Sequence, residues 1–391
     1  MKISAVIIAR NEEESVRKTI RLIRAQNYPK ERIEIIVVSD GSKDNTVKNV
    51  LQESVKVIVL EKSYGISVAR NIGVLESAGE VIFFIDAHIF INKNAFRFLS
   101  KRFNQYSDIC GICGKYHTPF NRLDSIRNIR YEALSGKNKM PRIINLDNFA
   151  TFSSGIGAFR RNLFDRVGLF KEDFRGFAGE DIFFELQILD KDISLYFDPR
   201  INGLHYEKVN NFRSLYSRIL KDVRGFSKIV VSGADFSLKM PKIDRYYLHF
   251  PFLLVISLIL SILRVEFIPL FLIAIIFEMI FIKDIWFLRD YDFKEKMLAV
   301  IYSLCIAFLK IFFVPVFIFR PTKLFINERI KAIVIDENRN KTNKSYKFEN
   351  GQSIEHYIPT IIKRVRYVLK LFFRWEIMKI ITVSKFSAKP I

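Results

Sequence analysis

Cysteine is scarce, with three among 391 residues. A chain of this length with so few is not a disulfide-framed secreted scaffold. No repeat or low-complexity tract interrupts it. No Gly-x-x-x-x-Gly-Lys phosphate loop is present either, which disfavours ATPase chemistry. At the start, Ile3 to Ala9 is too short an apolar run for a signal peptide, and Arg10-Asn11-Glu12-Glu13-Glu14 after it is too acidic. It reads as a first strand, and the N-terminal domain is expected in the cytoplasm. Acidic residues are the minority, 41 against 62 Lys and Arg, for a net charge of +21. That leaves nucleic acid and anionic membrane as candidate partners. Hydrophobic residues are not lacking: they make up 50%, with 38 Phe, enough for a large core and too many for a disordered chain.

Residues 1–211 alternate short apolar runs with amphipathic stretches, the pattern of strands joined by helices in a largely parallel sheet. Ile3–Ala9, Ile33–Ser39, Val55–Leu60 and Val81–Ile85 read as strands, continuous rather than alternating, as burial on both faces requires. Helices are expected over Glu13–Gln26, Val68–Ser77 and Ile182–Leu189.

Four pieces of this region carry chemistry. Strand Ile33–Ser39 runs into Asp40-Gly41-Ser42-Lys43-Asp44-Asn45-Thr46. A carboxylate at the C-terminal end of a parallel strand lies where open α/β sheets bind ligands, so Asp40 is a candidate for a ribose or base edge. Asp44 and Thr46 read as turn and helix-start residues. Gly65-Ile66-Ser67-Val68-Ala69-Arg70 places a turn before a helix from which Arg70 reaches an anion. Phe83-Phe84-Ile85 ends in Asp86-Ala87-His88, a carboxylate and an imidazole suited to a divalent cation of the Mn²⁺ or Mg²⁺ kind holding a diphosphate. Gly179-Glu180-Asp181 offers paired acids at a helix start; beside a metal–diphosphate site, Asp181 is a candidate general base. His205 is a candidate third metal ligand.

Taken in order, these pieces resemble the inverting family 2 glycosyltransferases of the GT-A fold, an α/β/α sandwich. The matching elements are Ile7-Ile8-Ala9-Arg10-Asn11-Glu12, Ser39–Thr46, Ala69-Arg70-Asn71-Ile72-Gly73, Gly79-Glu80 leading to Asp86-Ala87-His88, and Gly179-Glu180-Asp181. The resemblance covers about half the chain. It implies that Ala9, Asn11, Glu12, Asp40, Gly65, Arg70 and Asp86 line the donor side, with Asp40 on the nucleoside. Asp86 and His88 would occupy the metal-binding Asp-x-Asp position, with His205 the C-terminal metal-binding histidine. Asp181 would match the base, with Gly179 and Glu180 toward the acceptor. His88 departs from the commoner second aspartate, and an imidazole ligand favours Mn²⁺ over Mg²⁺.

Beyond residue 211 the pattern changes. Residues 212–245 begin with a basic amphipathic stretch, Phe212 to Val231, of the kind that lies in a headgroup layer. Residues 246–319 hold three apolar runs, Leu248–Leu263, Phe267–Ile282 and Met297–Phe319, which read as membrane helices. Each of the first two is about 24 Å long as helix, slightly short for a hydrocarbon core of about 30 Å. Glu278 and Lys310 lie inside them. Residues 320–391 carry sixteen Lys and Arg against six Asp and Glu. They read as a basic cytoplasmic tail with a second amphipathic helix over Ile361–Lys379, gripping anionic lipid headgroups. A cytoplasmic tail demands an even number of crossings, yet there are three apolar runs.

No recognisable nucleic-acid module accompanies the basic tail. Cys110 and Cys113 form a lone Cys-x-x-Cys; three apart on a strand they face opposite ways and read as small packing residues. Polymerising relatives of the resembled family often carry a Gln-x-x-Arg-Trp box before their membrane segments. Here that region reads Lys221-Asp222-Val223-Arg224-Gly225. The expectation is a multi-pass enzyme of the cell membrane with its catalytic domain cytoplasmic. It would move sugar from a nucleotide-diphosphate donor to a lipid-linked or cell-envelope glycan. The alternatives are a processive polysaccharide synthase, a polyprenyl-phosphate sugar transferase, and a non-catalytic nucleotide- or glycan-binding protein.

Overall fold

The continuous apolar runs do form strands with both faces covered. A computed structural model describes residues 1–117, 140–145, 154–174, 179–206, 216–217, 220–221, 292–294, 296–300 and 329–348. Its first half is β1 (Ile3–Ala9), α1 (Val16–Arg24), β2 (Ile33–Ser39), α2 (Thr46–Leu51), β3 (Lys56–Leu60), α3 (Ile66–Glu76) and β4 (Val81–Asp86). After these come β5 (Ile89–Ile91), α4 (Ala95–Gln105), β6 (Gly111–His117), β7 (Arg142–Ile144), β8 (Ile156–Arg160), α5 (Arg161–Val167), α6 (Glu180–Asp190) and β9 (Leu195–His205). The last described elements are β10 (Ile330–Ile335) and β11 (Lys341–Tyr346).

Among the described residues eleven strands join one sheet, in the order β11-β10-β3-β2-β1-β4-β8-β6-β9-β5, with β7 on β9. The expected largely parallel sheet is corrected to a mixed one. Pairs β1–β2, β2–β3, β1–β4 and β6–β9 are parallel. Those of β8 with β4 and β6, β9 with β5 and β7, and β10 with β3 and β11 are antiparallel. The parallel strands β1 to β4 are separated by covering helices, whereas later strands follow one another without such regular crossovers.

Two apolar layers sandwich the sheet. One holds Val6, Val38, Ile72, Phe84, Phe159, Phe170 and Phe184; the other holds Ile7, Val37, Ile20, Phe83, Phe96 and Tyr196. In the first, Phe184 of α6 stacks on Phe170 with ring centroids 4.1 Å apart and meets Phe159 of β8 edge-on at 5.4 Å. Aromatic contacts of this kind contribute about 0.5–1.5 kcal/mol beyond their buried area. They fix the start of α6 over β4 and β8. Cys110 and Cys113 are both buried free thiols in this same layer. Their packing role stands, but they do not face opposite ways, because Cys110 precedes β6.

The largest departure from the sequence reading lies at residues 330–346. Instead of belonging to a separate tail, they form a hairpin that extends the sheet beyond β3, Ala332 pairing with Leu60 and Ile335 with Val57. The alternation Ile330, Ala332, Val334 inward and Lys331, Ile333 outward is that of a strand covered on one face. Among the described residues no helix is long and apolar enough to cross a membrane. The three apolar runs, apart from the start of the third, and the amphipathic stretches at 212–231 and 361–379, apart from four residues of the former, lie outside the described residues.

Candidate active site

The C-terminal ends of β1, β2 and β4 converge on one edge of the sheet, and the sequence-predicted residues sit there. Ala9 closes β1 with its side chain buried and its carbonyl accepting from the Asp40 N–H at 2.9 Å. It shapes the edge through its backbone. Asn11, with φ of 55°, accepts the Lys43 N–H on its Oδ1 at 2.9 Å, while its own N–H donates to Ser42 Oγ at 3.2 Å. This laces the loops after β1 and β2 together. Asp44 and Thr46 make the expected turn, with Thr46 N–H donating to Asp44 Oδ1 at 3.0 Å.

Asp40 is 3% exposed. Its carboxylate accepts from Tyr64 N–H at 2.6 Å, from Gly65 N–H at 3.1 and 3.3 Å, and from Ser63 Oγ at 2.7 Å. It therefore holds the loop that opens α3, supplying acceptors to the otherwise orphaned donors of a helix start. Gly65 caps that helix.

Arg70 does not stand open to an anion. It is 1% exposed, lies 5.4 Å from the Phe170 ring centroid, and donates from Nη1 to Glu180 Oε1 at 2.7 Å. Its Nη2 lies 3.6 Å from Asp86 Oδ1. Burial works against its charge, but the carboxylates of Glu180, Asp86 and Asp181 outweigh burial and push its pKa up. Arg70 is thus the buried cation that gathers three acids from distant parts of the chain. Among the described residues its Nε has no hydrogen-bond partner.

Asp86 ends β4 with its side chain 22% exposed. Gly155 backs it closely: a Cβ there would lie 2.5 Å from Asp86 Oδ2, so only glycine admits the carboxylate. His88 Nδ1 is 2.8 Å from Glu12 Oε1, and Glu12 Oε2 accepts from Ser15 Oγ at 2.6 Å. Because β9 ends antiparallel to β5, His205 pairs with Ile89 and its ring meets that of His88 edge-on at 4.8 Å. The Glu12–His88 contact is absent from the sequence reading. Its only signal there is an acid following the first strand.

Gly179, with φ of 98°, turns the chain into α6, whose first turn carries both acids. Glu180 takes the ion pair with Arg70. Asp181 remains partly open to solvent, with its Oδ1 accepting the Ile182 N–H at 2.9 Å. Its pKa is raised to about 7, first by burial and then by the neighbouring Glu180 charge, against the opposing pull of Arg70. A carboxyl held near neutrality has the pKa that a general base or acid needs.

Among the described residues no three His, Cys, Asp or Glu side chains form a ready-made cage for an ion. Asp86, His88 and His205 offer oxygen and nitrogen donors of the kinds that divalent cations take. The Asp86 carboxylate is part-exposed, and of the two adjacent imidazoles His88 is already held by the Glu12 carboxylate.

Residues 4–168 match the family described as Glycosyl transferase family 2. The chain is 24% identical over 217 residues to the glycosyltransferase AglE of Haloferax volcanii, covering 52% of this chain and 66% of that one. It is 23% identical over 255 residues to a poly-β-1,6-N-acetyl-D-glucosamine synthase of Staphylococcus epidermidis, covering 63% and 60%. The probable glycosyltransferase YdaM of Bacillus subtilis is 31% identical over 183 residues, covering 43% and 42%. The chain thus spans from under half to about two thirds of the length of these relatives. Among solved structures, a mannosyltransferase of Pyrobaculum calidifontis, in complex with GDP-Man and Mn²⁺, overlays with a TM-score of 0.52 at 15% identity, covering 79% of this chain and 86% of that one. The mixed sheet is GT-A-like, and residues 4–168 are similar to the family 2 glycosyltransferases.

Proposed function

We propose that this protein is a membrane-anchored, inverting, metal-dependent glycosyltransferase. It takes a nucleotide-diphosphate sugar as donor and a lipid-linked or cell-envelope glycan as acceptor, at the cytoplasmic face. The observation that carries the reading is the division of labour between adjacent acids: Glu180 satisfies Arg70, and Asp181 keeps solvent contact with a pKa near neutrality. An acceptor hydroxyl ionises far above neutral pH and needs such a base.

The acceptor oxygen attacks the anomeric carbon as its proton passes to the Asp181 carboxylate. The bond from that carbon to the diphosphate breaks, and the electron pair leaves with the diphosphate. Attack from the side opposite the leaving group inverts the anomeric centre. Asp86, His88 and His205 would hold a divalent cation, which when bound neutralises charge developing on the diphosphate. Arg70 acts one layer back, keeping Asp86 and Glu180 in place. Asn11, Lys43 and the loop fixed by Asp40 wall the donor side.

The name of the Staphylococcus epidermidis relative supports a glycan acceptor, and the apolar runs of residues 248–319 support a surface-held one, since tethering both partners raises their effective concentration. The lack of a Gln-x-x-Arg-Trp box supports single transfer. The test is a panel of nucleotide sugars scored for metal-dependent nucleotide release, followed by transfer to lipid-linked acceptors. Asp181→Asn should retain donor binding and lose transfer; transfer at the native rate would remove Asp181 from the role. No nucleotide release with any donor and metal would overturn the reading.

A further inference from the structure

The resemblance puts Glu12 on the donor side, yet both oxygens of its carboxylate are engaged by protein groups. Oε1 lies 2.8 Å from His88 Nδ1, and Oε2 accepts from Ser15 Oγ at 2.6 Å. The backbone of Glu12 is held as firmly. Its N–H donates to Thr46 Oγ1 at 2.7 Å, and its carbonyl accepts from the N–H groups of Ser15 and Val16 at 3.2 and 3.0 Å, where α1 begins. The segment that carries His88 is pinned from the same helix and from the end of β9. Thr19 of α1 donates its hydroxyl to the Ala87 carbonyl at 2.6 Å, and the Tyr206 N–H donates to the His88 carbonyl at 2.8 Å. Both partners of the Glu12–His88 contact thus have fixed backbones, and each side chain is only 22% exposed. The contact is built into the fold.

We infer that Glu12 is a positioning residue, which holds the His88 imidazole in the tautomer with hydrogen on Nδ1 and the lone pair on Nε2. An ionised carboxylate only accepts hydrogen bonds, so the ring nitrogen that faces it must carry the hydrogen. In the neutral ring the other nitrogen then has the lone pair. A cation takes that lone pair, and a carboxylate behind the ring fixes its orientation and raises its basicity as a ligand. His205 bounds the ring on another side, perpendicular to it with centroids 4.8 Å apart. The role rests on the reading of Asp86, His88 and His205 as the cation site. Glu12 acts there through His88 and not on the donor.

The test uses the full chain. Solid-state NMR of metal-free protein with isotope-labelled histidine rings, at a pH where the rings are neutral, reports which nitrogen of each carries hydrogen. The signal lost in His88→Asn assigns His88. The expected result is hydrogen on Nδ1 alone in the native chain, and a mixture containing the Nε2–H form in Glu12→Ala. Glu12→Gln should keep the native tautomer, because its amide oxygen still accepts from Nδ1 while its amide nitrogen donates to Ser15 Oγ. Mn²⁺ affinity, read by electron paramagnetic resonance, should fall about 10–100-fold in Glu12→Ala and less in Glu12→Gln. Hydrogen on Nε2 in the native ring, a tautomer unchanged in Glu12→Ala, or a loss of affinity as large in Glu12→Gln as in Glu12→Ala would overturn the inference. Native and Glu12→Ala chains that bind Mn²⁺ equally well would remove this role alone and leave the cation site standing. A native chain that binds no Mn²⁺ would remove both.

Discussion

The two halves of the sheet hold their site residues by different means. On the side of β1, β2, β3 and β4, each one follows directly on a strand end and is fixed by neighbours: Asp40 by Tyr64 and Gly65, Asn11 by Ser42 and Lys43. On the side of β8, β6 and β9, Asp181 and His205 arrive from far along the chain. The acids of α6 are tied to the first half by one buried cation, Arg70, which reaches Glu180 across 110 residues. The first side is fixed locally; the acids of α6 depend on the Arg70 ion pair together with the packing of Phe184. Perturbations should therefore be mild on the first side and severe at the Arg70 pair.

The largest effect is expected at Asp181. Replacing it with Asn should lower kcat about 10²–10⁴-fold, the usual contribution of a general base, with donor affinity little changed. Rate should rise with pH and level off above about 7, where Asp181 is ionised. A bound cation should draw that midpoint downward. Stability should move the other way. Because the folded pKa lies above the ordinary aspartate value, native protein binds the proton more tightly, and stability falls as pH rises from about 4 through about 7. Asp181→Asn should then melt higher than the native chain at pH 8, with the two converging at pH 4. A kcat–pH profile and melting curves check both signs.

Next comes the Arg70 pair. Arg70→Met leaves Glu180 buried without its partner, and breaking such a pair costs about 3–5 kcal/mol, to be read by denaturant unfolding. It also removes the charge that restrains Asp181, so the rate midpoint should shift above about 7 in whatever fraction folds. By contrast Asn11→Ala, in the loop after β1, should shift unfolding by only about 1–2 kcal/mol, the cost of left-handed backbone without glycine or asparagine. Equal effects at the two sites would dissolve the comparison.

The same division explains what was legible in the sequence. Strands β1 to β4 announce themselves as unbroken apolar runs, and Asp40 and Asp86 follow at their ends, so position alone marks them. Arg70 is visible as a residue but not as a role. A lone arginine on a helix looks like an anion-binding arm, and only the packing of Phe84, Phe170 and α6 around it shows it turned inward. Short strands such as β5 and β7, three residues each, carry no readable period, and the antiparallel pairing of β8 depends on contacts that sequence spacing does not encode. The hairpin at 330–346 was masked by charge: β11 is almost wholly exposed, its Lys341 and Lys344 reading as tail residues. Those lysines sit on an edge strand, where charge blocks further pairing.

A smaller effect is expected at Gly155. Gly155→Ala pushes a Cβ against Asp86 Oδ2, and such overpacking costs about 1–3 kcal/mol. The carboxylate must turn away, so Mn²⁺ affinity, measured by electron paramagnetic resonance, should fall while nucleotide binding without metal stays close to native. Unchanged affinity would take Asp86 out of the cation site.

The smallest effect tests whether the hairpin is fixed locally or hangs on one contact. Burial raises the pKa of Glu76, but hydrogen bonds from Lys344, Lys56 and Tyr346 outweigh it and hold it below the usual carboxylate range. The Tyr346 phenol is in turn pushed well above its ordinary value by burial and the Glu76 charge, so it remains a donor at any working pH. Tyr346→Phe removes one donor of three and should cost about 0.5–1.5 kcal/mol at pH 7. Since the Glu76 contribution is present above its unfolded pKa and fades as pH falls through the folded value, the difference between the two chains should shrink in acid. Lys344 and Lys56 still neutralise Glu76, which makes this a distributed anchor rather than a single tie. A loss at Tyr346→Phe as large as that at Arg70→Met would instead make the returning hairpin dependent on one contact.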